Sequence, residues 1–280
     1  MFDINPFAEL STAINPTIMQ IYIVIMALLV AGGTLFDIIH KRSAIYFFNN
    51  WRKSRANTKQ KISGGKMASL TIQTALVEGA TSAEFCSTRR RIAHLLTMYG
   101  FIAYVAATAI MVFGYPTSAN PAPAFLANLW YLGALLVCLG GYWFWFFIRV
   151  DVAAEGNSPF RMVRADLFVV SLVLSTTFAL IWAFCQATAS PITLIALALY
   201  LISTTVLFGS VPWSKFSHMF FKPAAAFEKG LSAANGSRNN LPEPADRTDP
   251  ATRDRHSMSL LKDAPLDMGL GIKRESPKHY

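Results

Sequence analysis

Three of the chain's five histidines, His40, His94 and His218, stand where apolar blocks meet basic residues. An imidazole there can ligate a metal, carry a proton or act as an interfacial polar ring. In "RRRIAHLLTMYGF", His94 lies about one turn inside an apolar block beyond Arg89, Arg90 and Arg91, with Gly100 six residues further on. In "VPWSKFSHMFFKP", His218 lies between Lys215 and Lys222. Two histidines at one membrane depth on separate helices can hold the iron of a haem b, each giving one axial nitrogen. A small residue such as Gly100 leaves room between helices, and Arg89, Arg90, Arg91 and Lys215 are candidate partners for the propionates. His94 and His218 are therefore the candidate haem-iron ligands. The plainer alternative for each is an interfacial ring, since ionisable groups near helix ends are readily solvated. His40, in "IIHKRS", suits a lipid-interface residue or a quinone hydrogen-bond partner, and His256 and His279 fall in a polar tail where solvent is the default.

Other chemistry is poorly supplied. Cys86, Cys138 and Cys185 are isolated, so the chain has no ligand set for an iron–sulfur cluster or structural zinc. No nucleophile with a paired base, phosphate loop or carboxylate pair is recognisable, so no hydrolytic chemistry is expected. Asp166, in "RADLFVV" beside Arg164, reads as a helix cap.

The elements that must position these residues are membrane spans. With 53% hydrophobic and 15% charged residues, the chain is too apolar for an ordinary soluble domain. About 20 apolar residues cross a hydrocarbon layer of about 30 Å. Five blocks suffice, at about Thr17–Ile39, Leu95–Phe113, Phe125–Ile148, Leu167–Phe184 and Ile192–Val211. The first is preceded by Asp3 and Glu9 and no cation, which does not fit a signal peptide.

Charge orients the blocks. Eleven of the 25 Lys and Arg fall between Lys41 and Arg91, three between Arg149 and Arg164, and eleven after Val211. With five spans, all of them lie on one side, so the N-terminus is expected outside and the C-terminus in the cytoplasm. The expected fold is an all-α five-helix membrane bundle. Its parts are a periplasmic arm (1–16), a span domain (17–211) with a cytoplasmic loop (41–93), and a cytoplasmic polar tail (212–280). The net charge of +9 tracks membrane sidedness and does not form one basic domain, which argues against nucleic-acid binding.

The loop opens with "KRSAIYFFNNWRKSRANTKQK", whose aromatic and basic residues suit an interfacial helix; Gly64-Gly65 is expected to break it before a short amphipathic stretch. The loop exceeds a mere connector and is a candidate docking surface. The tail from Ala224 is polar and rich in Pro, Asn, Asp and Arg, predicting an extended or disordered chain that orders, if at all, on a partner.

The two histidine stretches, on the second and fifth blocks, resemble the cytochrome b-type membrane subunits of the respiratory nitrate reductase gamma family. They also resemble membrane subunits of sulfur-metabolism complexes such as the quinone-interacting oxidoreductase. Within this group, "GGKMASLTIQTALVEGATSAEFCSTRRRIAHLLTMYGF", "ANGSRNNLPEPAD" and the terminal "HY" look most like the adenylylsulfate reductase membrane anchors of sulfur-oxidising bacteria. The resemblance implies electron exchange between membrane quinone and a cytoplasmic iron–sulfur or flavin enzyme, through haem on His94 and His218. Two-haem relatives carry a second ligand pair about ten residues after the first position and about eighteen before the last, at another depth. Those positions hold Tyr104 and Tyr200 here, so a second haem is not expected.

Two functions remain open at this point. One is an electron-transfer anchor carrying haem b and linking adenylylsulfate reductase, or a similar enzyme, to quinone. The other is a cofactor-free anchor that only recruits the reductase. A small-solute transporter is the third class, disfavoured because the blocks offer almost no ionisable residue besides Asp37 and Asp166 near their ends.

Overall fold

The computed structural model describes residues 3–40, 42–82, 85, 87–153, 155–214, 216, 218–241 and 249. Among them the chain is all-helical, with no strand. In order, the helices are α1 (Pro6–Leu10), α2 (Pro16–His40), α3 (Ser43–Ala56), α4 (Gly64–Gln73), α5 (Thr88–Gly114), α6 (Ala124–Trp143), α7 (Val150–Ala153), α8 (Leu167–Ala187), α9 (Thr193–Gly209) and α10 (His218–Ala234). α4 runs on as a π-helix over Thr74–Ala80, and α6 does so over Phe144–Ile148. Four helical stretches are long and apolar enough to cross a membrane: Pro16–His40, Thr88–Gly114, Ala124–Ile148 and Arg164–Ala187. The fifth apolar block forms α9, only 17 residues long, or about 25 Å at the helical rise.

Two compact units divide the chain. The first, Met1–Ile45 with Gly79–Lys222, holds the apolar helices. Its tightest contact joins α5 to α6 through small residues seven apart. A Cβ added at Gly100 would lie 2.8 Å from the Gly133 carbonyl, and one at Gly140 would lie 2.6 Å from that of Ala93. Small residues substitute here for the hydrophobic drive that lipid removes, because they let backbones approach closely. α8 meets α9 through Ser175 and Thr204, whose hydroxyls are 2.7 Å apart. α2 joins less intimately, through the Tyr22 hydroxyl donating to the Leu201 carbonyl (3.0 Å) and Gly33 seated on Val211. Most of its apolar side chains remain exposed, as lipid-facing groups would be.

The N-terminal arm is not a loose extension. Asn5 accepts from the Phe7 amide (3.0 Å), starting α1, and donates to the Tyr115 carbonyl (2.9 Å). Gln186 donates to the Pro6 carbonyl (3.0 Å), so Phe7, Ala8 and Leu10 are buried within the end of the bundle that carries no Lys or Arg.

The second unit joins Tyr46–Glu78 to the chain from Pro223 onward. The boundary falls at Pro223, which lacks an N–H and weakens α10 internally. Asn235 is its organiser: the side chain donates to the Ser54 hydroxyl (2.9 Å), while the carbonyl accepts from the amides of Lys59 (3.0 Å) and Gln60 (3.2 Å). The Ser54 hydroxyl also meets those of Ser232 (3.1 Å) and Ser237 (3.0 Å). Residues 224–234 are thus helical and packed where their polarity predicts an extended chain, because "AAAFEKGLSAA" is rich in strong helix formers. The tail residues 242–248 and 250–280 lie outside the described residues. Gly64-Gly65 does not break the first loop helix either; α3 ends at Ala56, and the glycines open α4 behind a Ser63 cap.

Candidate functional site: the His94 end of the bundle

His94 sits in the second turn of α5, half-buried, under a strap formed by the residues that precede the helix. Tyr99 donates to the Ala80 carbonyl (2.8 Å), and Arg91 Nε donates to that of Thr81 (2.8 Å). Ser82, buried at a positive φ of 49°, places its hydroxyl 2.9 Å from His94 Nδ1. The Phe85 ring leans on His94 at 5.0 Å between centroids, and the Lys222 ammonium lies 5.2 Å from the same ring's centre. Lys222, in the second turn of α10, is thereby brought to the strap beside His94. The side chain of His218 and all of Lys215 lie outside the described residues. Arg89 and Arg90 are exposed on the first turn of α5, while Arg91 is engaged by the strap. His40 is at the exposed end of α2, stacked on Phe36 at 5.3 Å.

A haem ligand needs an oriented ring and a slot for the porphyrin. The Nδ1 bond to Ser82 supplies orientation of the kind a ligating imidazole uses. Among the described residues, rings fill the space where that slot would lie. Two turns below His94, Phe101 meets Phe208 (6.4 Å), which meets Phe216 (5.9 Å), which stands edge-on to Phe168 (5.4 Å). Gly100 leaves no room, because α6 closes on it. The described residues around His94 therefore do not fit a porphyrin in this arrangement.

The second depth is filled as well. The Tyr104 hydroxyl donates to that of Tyr200 across 2.9 Å. Trp182 stacks on Tyr200 at 5.7 Å, Trp130 packs on Tyr104 at 5.4 Å, and Phe7 contacts both tryptophans, at 5.8 Å to Trp130 and 5.4 Å to Trp182. These five rings close a box in which both tyrosine hydroxyls are satisfied, as a buried hydroxyl must be. Among the described residues, no group of three or more His, Cys, Asp or Glu is placed to hold a metal ion.

Sequence reasoning missed the main ionic feature. Asp166 is more than a cap: its carboxylate pairs with Arg149, not Arg164, at 2.6 Å, and also accepts from the Val163 amide (3.0 Å). The other Arg149 terminal nitrogen donates to the carbonyls of Pro159 (3.2 Å) and Arg161 (2.8 Å), and the guanidinium lies 4.0 Å from the centre of the Trp145 ring. Arg149 was readable only as a lone cation after an apolar block; its partner lies across a loop.

No protein-family model, curated protein or solved structure matches the chain.

Proposed function

We propose that this protein is a membrane anchor that holds a cytoplasmic iron–sulfur and flavin oxidoreductase, of the adenylylsulfate reductase kind, at the quinone-containing cytoplasmic membrane of a bacterium. In this reading five spans cross the bilayer, α9 being lengthened by the turn at Val211–Trp213, with the N-terminus outside and the loop and tail in the cytoplasm. The observation that carries the reading is the second unit. A loop folds together with the start of a tail expected to be extended or disordered, and the tie is made by Asn235 and Ser237 of the "ANGSRNN" stretch within the motif on which the resemblance rests. A motif used to build a helical body outside the spans is what a docking platform requires.

The packed interior favours the cofactor-free form of this anchor. In that form the protein only recruits the reductase to the membrane, and His94 serves to hold the strap. The haem-bearing alternative, with haem b on His94 and His218 and propionates at Arg89, Arg90, Arg91 and Lys215, requires the Phe101–Phe208–Phe216 contacts to open. The test is a reduced-minus-oxidised absorption spectrum of the purified full-length protein. The cofactor-free reading expects no b-haem band; a band that disappears in both His94→Ala and His218→Ala establishes the alternative.

A further inference from the structure

α3 is built inside out. Its buried stripe includes the polar Asn50 and Ser54, while Ile45, Tyr46 and Phe48 point outward, with exposures of 57%, 67% and 49%. Asn50 and Ser54 are enclosed because the tail covers them, Asn239 donating to the Asn50 carbonyl (3.4 Å) and Asn235 to Ser54. The outward face therefore has a cause from Tyr46 on: the tail takes the polar side of the helix and leaves Tyr46 and Phe48 outside, next to Ile45 at the end of the first unit. Beyond Phe48 the exposed residues turn basic, with Arg52, Lys53 and Arg55, and the Arg55 guanidinium lies 5.7 Å from the centre of the Trp51 ring. From Lys41 to Val77 the sequence holds eight cations and no acid.

We infer that α3 is a binding face for anionic phospholipid, with Ile45, Tyr46 and Phe48 at the acyl boundary and Arg52, Lys53 and Arg55 at the phosphates. The order along the chain argues for lipid over an acidic protein face. α3 starts three residues after α2 ends, and Phe48 is at most about 8 Å of helical rise beyond Ser43. Along the chain the apolar half comes first, directly after the span-length α2, and the cationic half follows, in the order in which a bilayer presents acyl chains and phosphates. An acidic protein surface imposes no such sorting. A similar mixture recurs in the first unit, where Arg149 ties the Pro159 and Arg161 carbonyls to the level of Asp166 at the start of the Arg164–Ala187 span. Phe160 and Met162 are exposed there beside Arg161 and Arg164, although Glu155 of that loop offsets part of the charge.

The experiment reconstitutes the full-length protein in nanodiscs of phosphatidylcholine with phosphatidylglycerol and counts the lipids retained after transfer to detergent. Wild type is expected to retain phosphatidylglycerol preferentially, and the preference should decline as salt rises. Each surface cation is worth about fivefold in affinity, so R52Q/K53Q/R55Q should lower the preference by roughly a hundredfold. The charge-preserving R52K/K53R/R55K should keep most of it. I45S/Y46S/F48S should weaken retention of both lipids. A salt-insensitive preference, or an unchanged preference in R52Q/K53Q/R55Q, overturns the inference. So does a charge variant that keeps its lipid ratio but loses a co-purifying acidic protein.

Discussion

Arg149 shows how one side chain can set a loop. Its guanidinium is buried, with side-chain exposure of 5%, and bonds two carbonyls and a carboxylate that all lie within one short connection. Removing one member of such a pair strands the other, at about 3–5 kcal/mol. Arg149→Ala should therefore destabilise the full-length protein by that order. Arg149→Lys, which keeps the charge but loses the planar fork, should fall between. Thermal unfolding in detergent distinguishes the three proteins. The Tyr104–Tyr200 bond allows a finer test. Tyr104→Phe removes a donor from a buried pair and should cost about 1 kcal/mol, whereas a large loss would mean that the hydroxyl has further duties. At this scale the sequence was informative about residue types and silent about partners. His94 stood out by its place after three arginines. That its ring is held by Ser82, twelve residues back on a folded strap, could not be read from spacing.

Among the helices, close approach and buried polarity make opposite demands. Gly133 faces the Tyr104 backbone, and a Cβ there would lie 2.7 Å from the amide nitrogen. Gly133→Val should push α5 from α6 and lower stability by about 1–3 kcal/mol, as when a packed core is overfilled; Gly114→Val, where an added Cβ meets nothing within 4 Å, is the control. In the second unit, Glu228 of α10 has one carboxylate oxygen enclosed without a hydrogen-bond partner among the described residues, and burial pushes its pKa up. A raised folded-state pKa means that stability is greatest below the unfolded carboxyl's value and declines as pH rises through the raised one. Glu228→Gln should thus stabilise this unit above that pH and lose its advantage in acid, as a proteolysis series across pH will show. Four of the five apolar blocks emerged as helices of spanning length because each is a continuous apolar run. The helical start of the tail did not, since the proline-rich residues after it dominate any average over the region.

The molecule as a whole comprises two units, an apolar bundle filled by aromatic rings and a unit assembled from loop and tail. The bundle was legible as a class from composition. Its closure was not: the contacts of Phe7 with Trp130 and Trp182 join positions more than a hundred residues apart, and nothing local announces them. The rings of Phe101, Phe208, Phe216 and Phe168, which pack in series two turns from His94, were equally silent in the sequence. The second unit is tied together by the hydrogen bonds of Asn235 to Ser54, Lys59 and Gln60. The most direct test of the anchor reading is fractionation of cells that co-express the full-length protein with adenylylsulfate reductase. The account predicts that the reductase moves to the membrane fraction with the wild-type protein and is released by Asn235→Ala, while the variant itself stays in the membrane. A reductase that remains soluble beside a correctly inserted wild-type protein would contradict it.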